Sequence, residues 1–211
     1  MRAENREPRA QRENPEIVLA SASPRRAMLL TQIGLPFRVC PSTLGEDGEA
    51  ALDRETPKAC ATRLALAKAR DVAARLGRGL IIGADTVVTC RSRILGKPRN
   101  GKEAQAFLLA LAGRTHRVVT GVAVVEARSG RVEIDVAVTS VTMRPFDRRE
   151  AMRYVATGEP LDKAGAYGIQ GRGALLVEGI RGDYFNVVGL PLALLARILR
   201  EFGVDPWGRS G

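Results

Sequence analysis

The sequence predicts an α/β protein in which helices flank a mixed sheet. Three observations carry that expectation. Short apolar, partly β-branched runs alternate with stretches of helical periodicity through the first half of the chain. Each helical stretch comes with its own start and stop residues. Two long β-rich runs, Val118–Ala127 and Arg131–Met143, are separated only by Arg128-Ser129-Gly130, which predicts a hairpin, and hairpin strands are antiparallel. The resulting order, β-α-β-α-β, a hairpin, then α-β-α, is that of an α/β architecture with a mixed sheet.

Composition narrows the class. With 211 residues, 45% of them hydrophobic, the chain can bury one sizeable core or two small lobes. A formal net charge of +10 would suggest a nucleic-acid or membrane-surface partner if it were clustered, but the basic residues, mostly arginine, are scattered among acids. Aromatic residues are 4% and interleave with no basic run, so a nucleic-acid partner is disfavoured. Cys40, Cys60 and Cys90 show no C-x-x-C spacing and read as reduced thiols of a cytoplasmic protein. No run approaches the roughly 18 apolar residues of a membrane span. Met1–Asn14 mixes arginine and glutamate without an apolar run. A disordered extension is expected over 1–14, a single domain over 15–203 and a short tail over 204–211.

Ile17-Val18-Leu19-Ala20 reads as a buried strand and Ala27–Ile33 as a helix that stops at Gly34. Between them, Ser21-Ala22-Ser23-Pro24-Arg25-Arg26 makes a strand-to-helix turn, with Ser23 at the N-cap and Pro24 in the first turn. Two guanidinium groups at the positive end of a helix dipole do nothing for the helix. They make sense if an anion sits between them: helix N–H groups, serine hydroxyls and guanidinium forks together form a phosphate cradle. Alone, the turn reads more readily as a capped helix with two solvated arginines; its company in the rest of the chain favours the cradle.

Phe37–Cys40 predicts a second strand, followed by a loop, Pro41–Asp53, made acidic by Glu46, Asp47, Glu49 and Asp53. The next helix opens at Thr56-Pro57 and ends at Gly77; Lys68 lies at the edge of its apolar face, the place of a snorkelling structural lysine. Gly79–Ala84 reads as a buried strand that delivers Asp85-Thr86 at its carboxyl end, where open α/β sheets bind ligands, before Val87–Cys90 continues apolar. A carboxylate among apolar neighbours is costly unless it is paired or bound to a cation, which makes Asp85 a candidate site residue. Gly96-Lys97-Pro98 is a stiff corner that puts Lys97 near the same edge.

Asn100 with Glu103, and Asp147 with Glu150, have capping-box spacing and open two further helices, one to about Leu111 and one ended by Gly158. His116, the only histidine, is expected to be structural, since one histidine makes no multi-histidine metal site. Asp162–Gly173 holds four glycines in nine residues, which permits close backbone approach to a ligand, with Lys163, Tyr167 and Gln170 as contacts. A strand at Ala174–Ile180 and an amphipathic helix at Pro191–Phe202 close the chain. A P-loop G-x-x-x-x-G-K-[ST] is absent, and Gly165–Gly173 does not fit a dinucleotide fingerprint.

From Ile17 to Phe202 the sequence resembles the Maf-type nucleoside triphosphate pyrophosphatases, the septum-formation-protein family. The resemblance rests on five blocks in family order: Leu19–Arg26, Gly83–Thr86, Gly96–Pro98, Asp162–Gly171, and Gly182–Tyr184 through Gly189–Pro191. It implies an elongated mixed sheet with an active-site cleft between two lobes, a homodimer, and hydrolysis of a nucleoside triphosphate between its α and β phosphates. Mg²⁺ or Mn²⁺ is the implied cofactor. The block Tyr167–Gly171 is similar to the branch acting on dTTP, UTP and related non-standard pyrimidine nucleotides; the branch acting on 7-methyl-GTP, the alternative, usually carries glutamate where Gln170 stands. By the same resemblance Ser21, Arg25 and Arg26 bind phosphate, Lys68 and Lys97 are the helix and corner lysines of the catalytic set, Asp85 is the catalytic aspartate and Gln170 lies on the base side. Glu46 is implied as a metal ligand with Asp85, although Gly45-Glu46-Asp47 shifts the family's acidic pair by one position and leaves Asp47 as an alternative. Asp85 suits either a metal ligand or a general base. The alternatives of another class are a nucleic-acid-binding module, which needs a clustered basic face, and a phosphate-binding regulator, which has no use for Asp85.

Overall fold

The computed structural model describes residues 15–44, 55–91 and 93–208. The N-terminal extension expected over 1–14 lies outside the described residues, as do Glu46, Asp47 and most of the acidic loop. Thirteen strands and α-helices follow in the order β1 (Ile17–Leu19), α1 (Pro24–Gln32), β2 (Arg38–Val39), α2 (Pro57–Leu76), β3 (Leu80–Cys90), β4 (Arg93–Leu95), α3 (Gly101–Leu111), β5 (Thr115–Glu126), β6 (Val132–Met143), α4 (Arg148–Val155), β7 (Val177–Arg181), α5 (Tyr184–Val188) and α6 (Leu192–Glu201). They build the expected mixed α/β arrangement: a seven-stranded sheet ordered β2-β1-β3-β5-β6-β7, with β4 also on β3. β1 runs parallel to β2 and β3, and the remaining pairings are antiparallel. No helix among the described residues is long and apolar enough to cross a membrane.

β3 organises the sheet. One of its edges is covered by β5 from Leu80 to Thr89. On the other edge β1 pairs only with Leu80–Ile82 and β4 only with Val88–Cys90. Between them Gly83–Val87 has no strand neighbour among the described residues, and this gap in the edge is where Asp85 stands. The expectation that the strand ends at Asp85 is therefore corrected: β3 continues through Cys90, and Asp85 is accessible because its neighbours stop short.

Side-chain alternation explains the packing. On one face Leu80, Ile82 and Ala84 join Val122 and Val124 of β5 beneath α1 and α6, represented by Leu29, Leu30, Leu195 and Leu199. Farther along the same face, Val88, Cys90 and Val118 belong to a second apolar cluster with Leu108, Leu111 and Tyr154 of α3 and α4. Thr86 and Thr120, directly paired across β3 and β5, separate the two cores. The opposite face is covered by α2, where Ala65, Ala69 and Val72 pack with Ile81, Ala123 and Val125.

α2 lies almost on the sheet backbone. A Cβ added at Gly83 would stand 2.1 Å from the Ala65 carbonyl oxygen, and one at Gly121 would stand 2.4 Å from that of Ala61. No larger residue fits either place. The helix ends as its sequence dictates: the Thr56 hydroxyl accepts from the Ala59 N–H, and Gly77 closes it in the left-handed region.

One local expectation changes, and the structure adds two features. The strand expected at Ala174–Ile180 begins only at Val177, because Gly171–Leu176 coils into a 3-10 turn. The glycine-rich stretch folds as a series of short turns. A short helix, α5, precedes α6; Asp183 caps it by accepting from the Phe185 N–H, and Asn186 within it is wholly buried.

Candidate active site

The gap in the β3 edge opens into a cleft of about 380 Å³. Seven residues singled out from the sequence line it: Ser21, Arg25, Arg26, Lys68, Asp85, Lys97 and Gln170. They arrive from the β1–α1 turn, α2, β3, the corner after β4 and the glycine-rich stretch. Glu46, the remaining one, falls outside the described residues.

Lys68 reaches the cleft because α2 rests on Gly83 and Gly121, and Gly121 is the β5 partner of Asp85. Its Nζ pairs with Asp85 Oδ1, and both side chains are mostly enclosed, 23% and 13% exposed. The snorkelling role expected for Lys68 is thus replaced by an ion pair inside the cleft. The pair fixes the carboxylate through one oxygen and leaves Oδ2 as an acceptor or cation-coordinating atom.

The two adjacent arginines do different work. Arg26 is buried, and its fork spans three segments: Nε donates to the Gly189 carbonyl at 2.8 Å, Nη1 to Ser21 Oγ at 3.0 Å and Nη2 to Thr86 Oγ1 at 3.2 Å. Gly189 has φ +122°, in a region favouring glycine, as it turns its carbonyl toward the guanidinium. Burial lowers the Arg26 pKa against a raising influence of Asp85, with Arg25 lowering it further. Ser21 Oγ accepts from Arg26 and also from the Ser23 N–H at 3.2 Å, so its own hydrogen is directed elsewhere, as a donor for an anion. Arg25, in contrast, reaches across the cleft to Asp162 Oδ2 at 3.2 Å.

Thr86 continues the chain inward. Its hydroxyl meets that of Thr120 at 2.9 Å, and Thr120 donates to the Asn186 carbonyl at 3.0 Å. A carbonyl only accepts and a guanidinium only donates, so the direction is fixed from both ends: Arg26 to Thr86 to Thr120 to Asn186. Asn186 Nδ2 in turn donates to Val118 O at 3.1 Å and Thr139 Oγ1 at 2.8 Å. The phosphate-cradle turn is in this way anchored to α5 through the polar row between the two apolar cores.

On the opposite wall Lys163 Nζ donates to Asp162 Oδ1 and to the Glu159 carbonyl, each at 2.6 Å. Burial would raise the Asp162 carboxyl, but Lys163 and Arg25 outweigh it and hold it below the usual range. Lys97 lies between these groups; burial first, then Arg26, lowers its ammonium pKa, Asp162 opposes them and Arg25 adds to them. Gly96 O accepts from Gly165 N at 3.0 Å, tying the lysine corner to the glycine-rich stretch. Tyr167 lines the cleft but is 5% exposed, its hydroxyl 2.7 Å from His116 Nε2; His116 is buried and structural, as expected.

Sequence reasoning missed Asp162, Thr86 and Gly189 as site residues. All three stand in the blocks that carry the family resemblance, but their partners emerge only from the fold: Asp162 lies 137 positions from Arg25, and Gly189 lies 163 positions from Arg26. Among the described residues no group of three or more His, Cys, Asp or Glu could hold a metal by itself. The donor set nonetheless fits Mg²⁺ or Mn²⁺ taken up with substrate, since such ions need only one or two carboxylates when phosphate oxygens and waters complete the shell, and Asp85 supplies one.

A family model described as Maf-like protein matches residues 16–202. A dTTP/UTP pyrophosphatase of Moorella thermoacetica is 57% identical over 194 residues, covering 92% of this chain and 98% of that protein. The dTTP/UTP pyrophosphatase of Pelotomaculum thermopropionicum is 49% identical over 190 residues, 90% of this chain and 98% of that protein. One from Dehalococcoides mccartyi is 48% identical over 194 residues, 91% of this chain and 84% of that protein. The matched span takes in every strand and every helix that builds the cleft, and the chain belongs to the Maf family.

Proposed function

We propose that this chain hydrolyses dTTP and UTP, with related non-standard pyrimidine nucleotides, to the nucleoside monophosphate and pyrophosphate. The observation that carries the reading is a single cleft lined by Arg25, Arg26, Lys97 and Lys163, in which Asp162 pairs with Arg25 and Lys163 while Asp85 is fixed by Lys68. That charge pattern suits a triphosphate, whose oxygens need cations on several sides. Gln170 on the cleft wall and the names of the relatives support the pyrimidine preference.

In this reading a water attacks the α phosphorus: a P–O bond forms, the α–β anhydride bond breaks, and pyrophosphate leaves toward Arg25 and Lys97. The Ser21 hydroxyl and the cations stabilise charge that develops on the phosphate oxygens. Asp85 Oδ2 accepts the water proton or serves as the ligand of Mg²⁺ or Mn²⁺. Bound there with the nucleotide, the metal would neutralise phosphate charge and acidify a coordinated water. Glu46 or Asp47 belongs to the same proposal as a second carboxylate. A homodimer in the cytoplasm completes it, supported by the family resemblance.

The test is pyrophosphate release from dTTP, UTP, CTP, dCTP, 7-methyl-GTP, GTP and ATP, with Mg²⁺ or Mn²⁺ and with chelator. Metal-dependent release from dTTP and UTP with little from ATP is expected. Preference for 7-methyl-GTP would keep the chemistry and overturn the pyrimidine assignment; no release from any triphosphate would overturn both.

A further inference from the structure

The stretch that carries Gln170 is folded around one carboxylate that the reaction itself does not use. Glu159 Oε1 accepts from the Tyr154 hydroxyl at 2.8 Å and from Gly173 N at 3.1 Å, while Oε2 accepts from Arg172 N at 3.0 Å. The Tyr154 oxygen accepts in turn from Gly168 N at 3.1 Å. Backbone N–H groups on both sides of Gln170 are therefore held by a single Tyr154–Glu159 pair. The glycines permit this approach: a Cβ at Gly171, which has φ +67°, would lie 3.0 Å from Glu159 Oε2, and one at Gly173 would lie 2.5 Å from the Tyr154 oxygen. Gln170 itself makes no side-chain hydrogen bond among the described residues, so its position in the cleft is set by the backbone that carries it.

We propose that Glu159 is a positioning residue for base selection: its carboxylate, with Tyr154, fixes the backbone that presents the Gln170 amide to the nucleobase. The inference rests on the pyrophosphatase reading and on the base-side place of Gln170. Among the described residues the Glu159 side chain makes no hydrogen bond to the cleft cations; Lys163 donates to its main-chain carbonyl and acts on the carboxylate only through its charge. Loss of the carboxylate should loosen recognition of the base and leave phosphate binding in place.

Glu159→Gln tests this in the full-length chain. One amide oxygen can replace Oε1, but the amide nitrogen then faces the Arg172 N–H, so one acceptor is lost and two donors confront each other. The KM for dTTP is expected to rise about tenfold, the size of one lost charged-acceptor bond. The kcat should change by less than about threefold, inhibition by inorganic pyrophosphate should be unchanged, and the kcat/KM preference for dTTP over dCTP should shrink. Tyr154→Phe removes the bridging hydroxyl and should move the same readouts in the same direction to a lesser extent. Should Glu159→Gln fail to fold, judged by circular dichroism, Tyr154→Phe decides alone. Equal losses of kcat/KM on dTTP and dCTP, or weakened pyrophosphate inhibition, would overturn the proposal. Failure of the wild-type chain to release pyrophosphate would instead overturn the underlying reading.

Discussion

Lys68 on α2 and Asp85 on β3 form an ion pair on the floor of the cleft, brought together because α2 rests directly on Gly83 and Gly121. The pairing links an unremarkable structural detail, two glycines under a helix, to the chemistry of the site. It also shows which carboxylate oxygen is occupied by the pair.

Asp85→Asn should therefore abolish turnover while the protein stays folded. The amide keeps the shape but cannot take a proton or hold a divalent cation, and a loss of about 10²–10⁴-fold in kcat is expected. Because the pair is mostly enclosed, the substitution leaves the Lys68 charge uncompensated, while the amide oxygen can still accept from it, so a stability loss of about 1–3 kcal/mol is expected. Pyrophosphate release and a thermal melt measure the two. A variant with wild-type turnover would remove Asp85 from the reaction.

Neighbouring arginines should respond differently to the same substitution. Arg26→Lys loses the fork that joins Ser21, Thr86 and Gly189, and should cost on the order of 3 kcal/mol of stability together with most activity. Arg25→Lys breaks only a half-exposed contact to Asp162 and should raise the KM for dTTP with little change in melting temperature. Melting curves for both variants beside their KM values test the contrast. Equal melting temperatures would contradict the strut role of Arg26.

The sequence made the elements legible where local rules act alone. Thr56-Pro57, Asn100, Asp147 and Gly77 fulfil the caps their spacing predicts. The hairpin follows from two β-rich runs around Ser129-Gly130. Ser21, Arg25, Arg26, Asp85, Lys97 and Gln170 were legible too, through separated blocks, while Lys68 lies outside them. Their division of labour was not. Arg25 and Arg26 are adjacent and chemically identical, and only the fold buries one of them. Lys68 reads as an edge lysine until Gly83 and Gly121 are seen to lower its helix onto the strand. Asp85 reads as a strand end because no local signal reports that β1 and β4 leave a gap. Ala174–Leu176, the end of the 3-10 turn, reads as the start of a strand because no local signal reports that Glu159 holds the backbone just before it at Arg172 and Gly173.

Lys97 should give the enzyme a distinctive alkaline limb. Its pKa is lowered, chiefly by burial and then by Arg26, so its positive charge disappears at lower pH than that of an ordinary lysine. Affinity for nucleotide should fall as pH rises through that lowered value. Stability should move the other way: the cost of burying the charge is present in full below the lowered pKa and is relieved as pH rises toward the ordinary value of about 10.4. Lys97→Arg, which stays charged, should extend the KM plateau to higher pH. Coincident alkaline limbs for wild type and Lys97→Arg would contradict this assignment.

His116 should govern stability on the acid side. Burial pushes its pKa down from 6.5 to about 4, and the residue is 2% exposed, with Nε2 on the Tyr167 hydroxyl and Nδ1 without a partner among the described residues. An unfolded chain would take a proton there near pH 6.5, whereas the folded chain resists until about pH 4. Stability tied to neutral His116 is thus complete above the unfolded value and is lost as pH falls, by about 1.4 kcal/mol per unit and on the order of 3 kcal/mol in all. Glu16, Glu103, Glu150, Glu159 and Asp162 carry lowered values and are lost in a lower window, as pH falls through their folded-state pKa. Between about pH 6.5 and 4.5 the histidine therefore acts nearly alone. Urea melts at intervals across that range should show a steady decline in wild type and a flat profile in His116→Gln, which keeps a polar group beside Tyr167 but takes no proton. A wild-type profile that is flat down to about pH 4.5 would mean that the folded His116 protonates as readily as the unfolded one, and that its burial places no penalty on the charge.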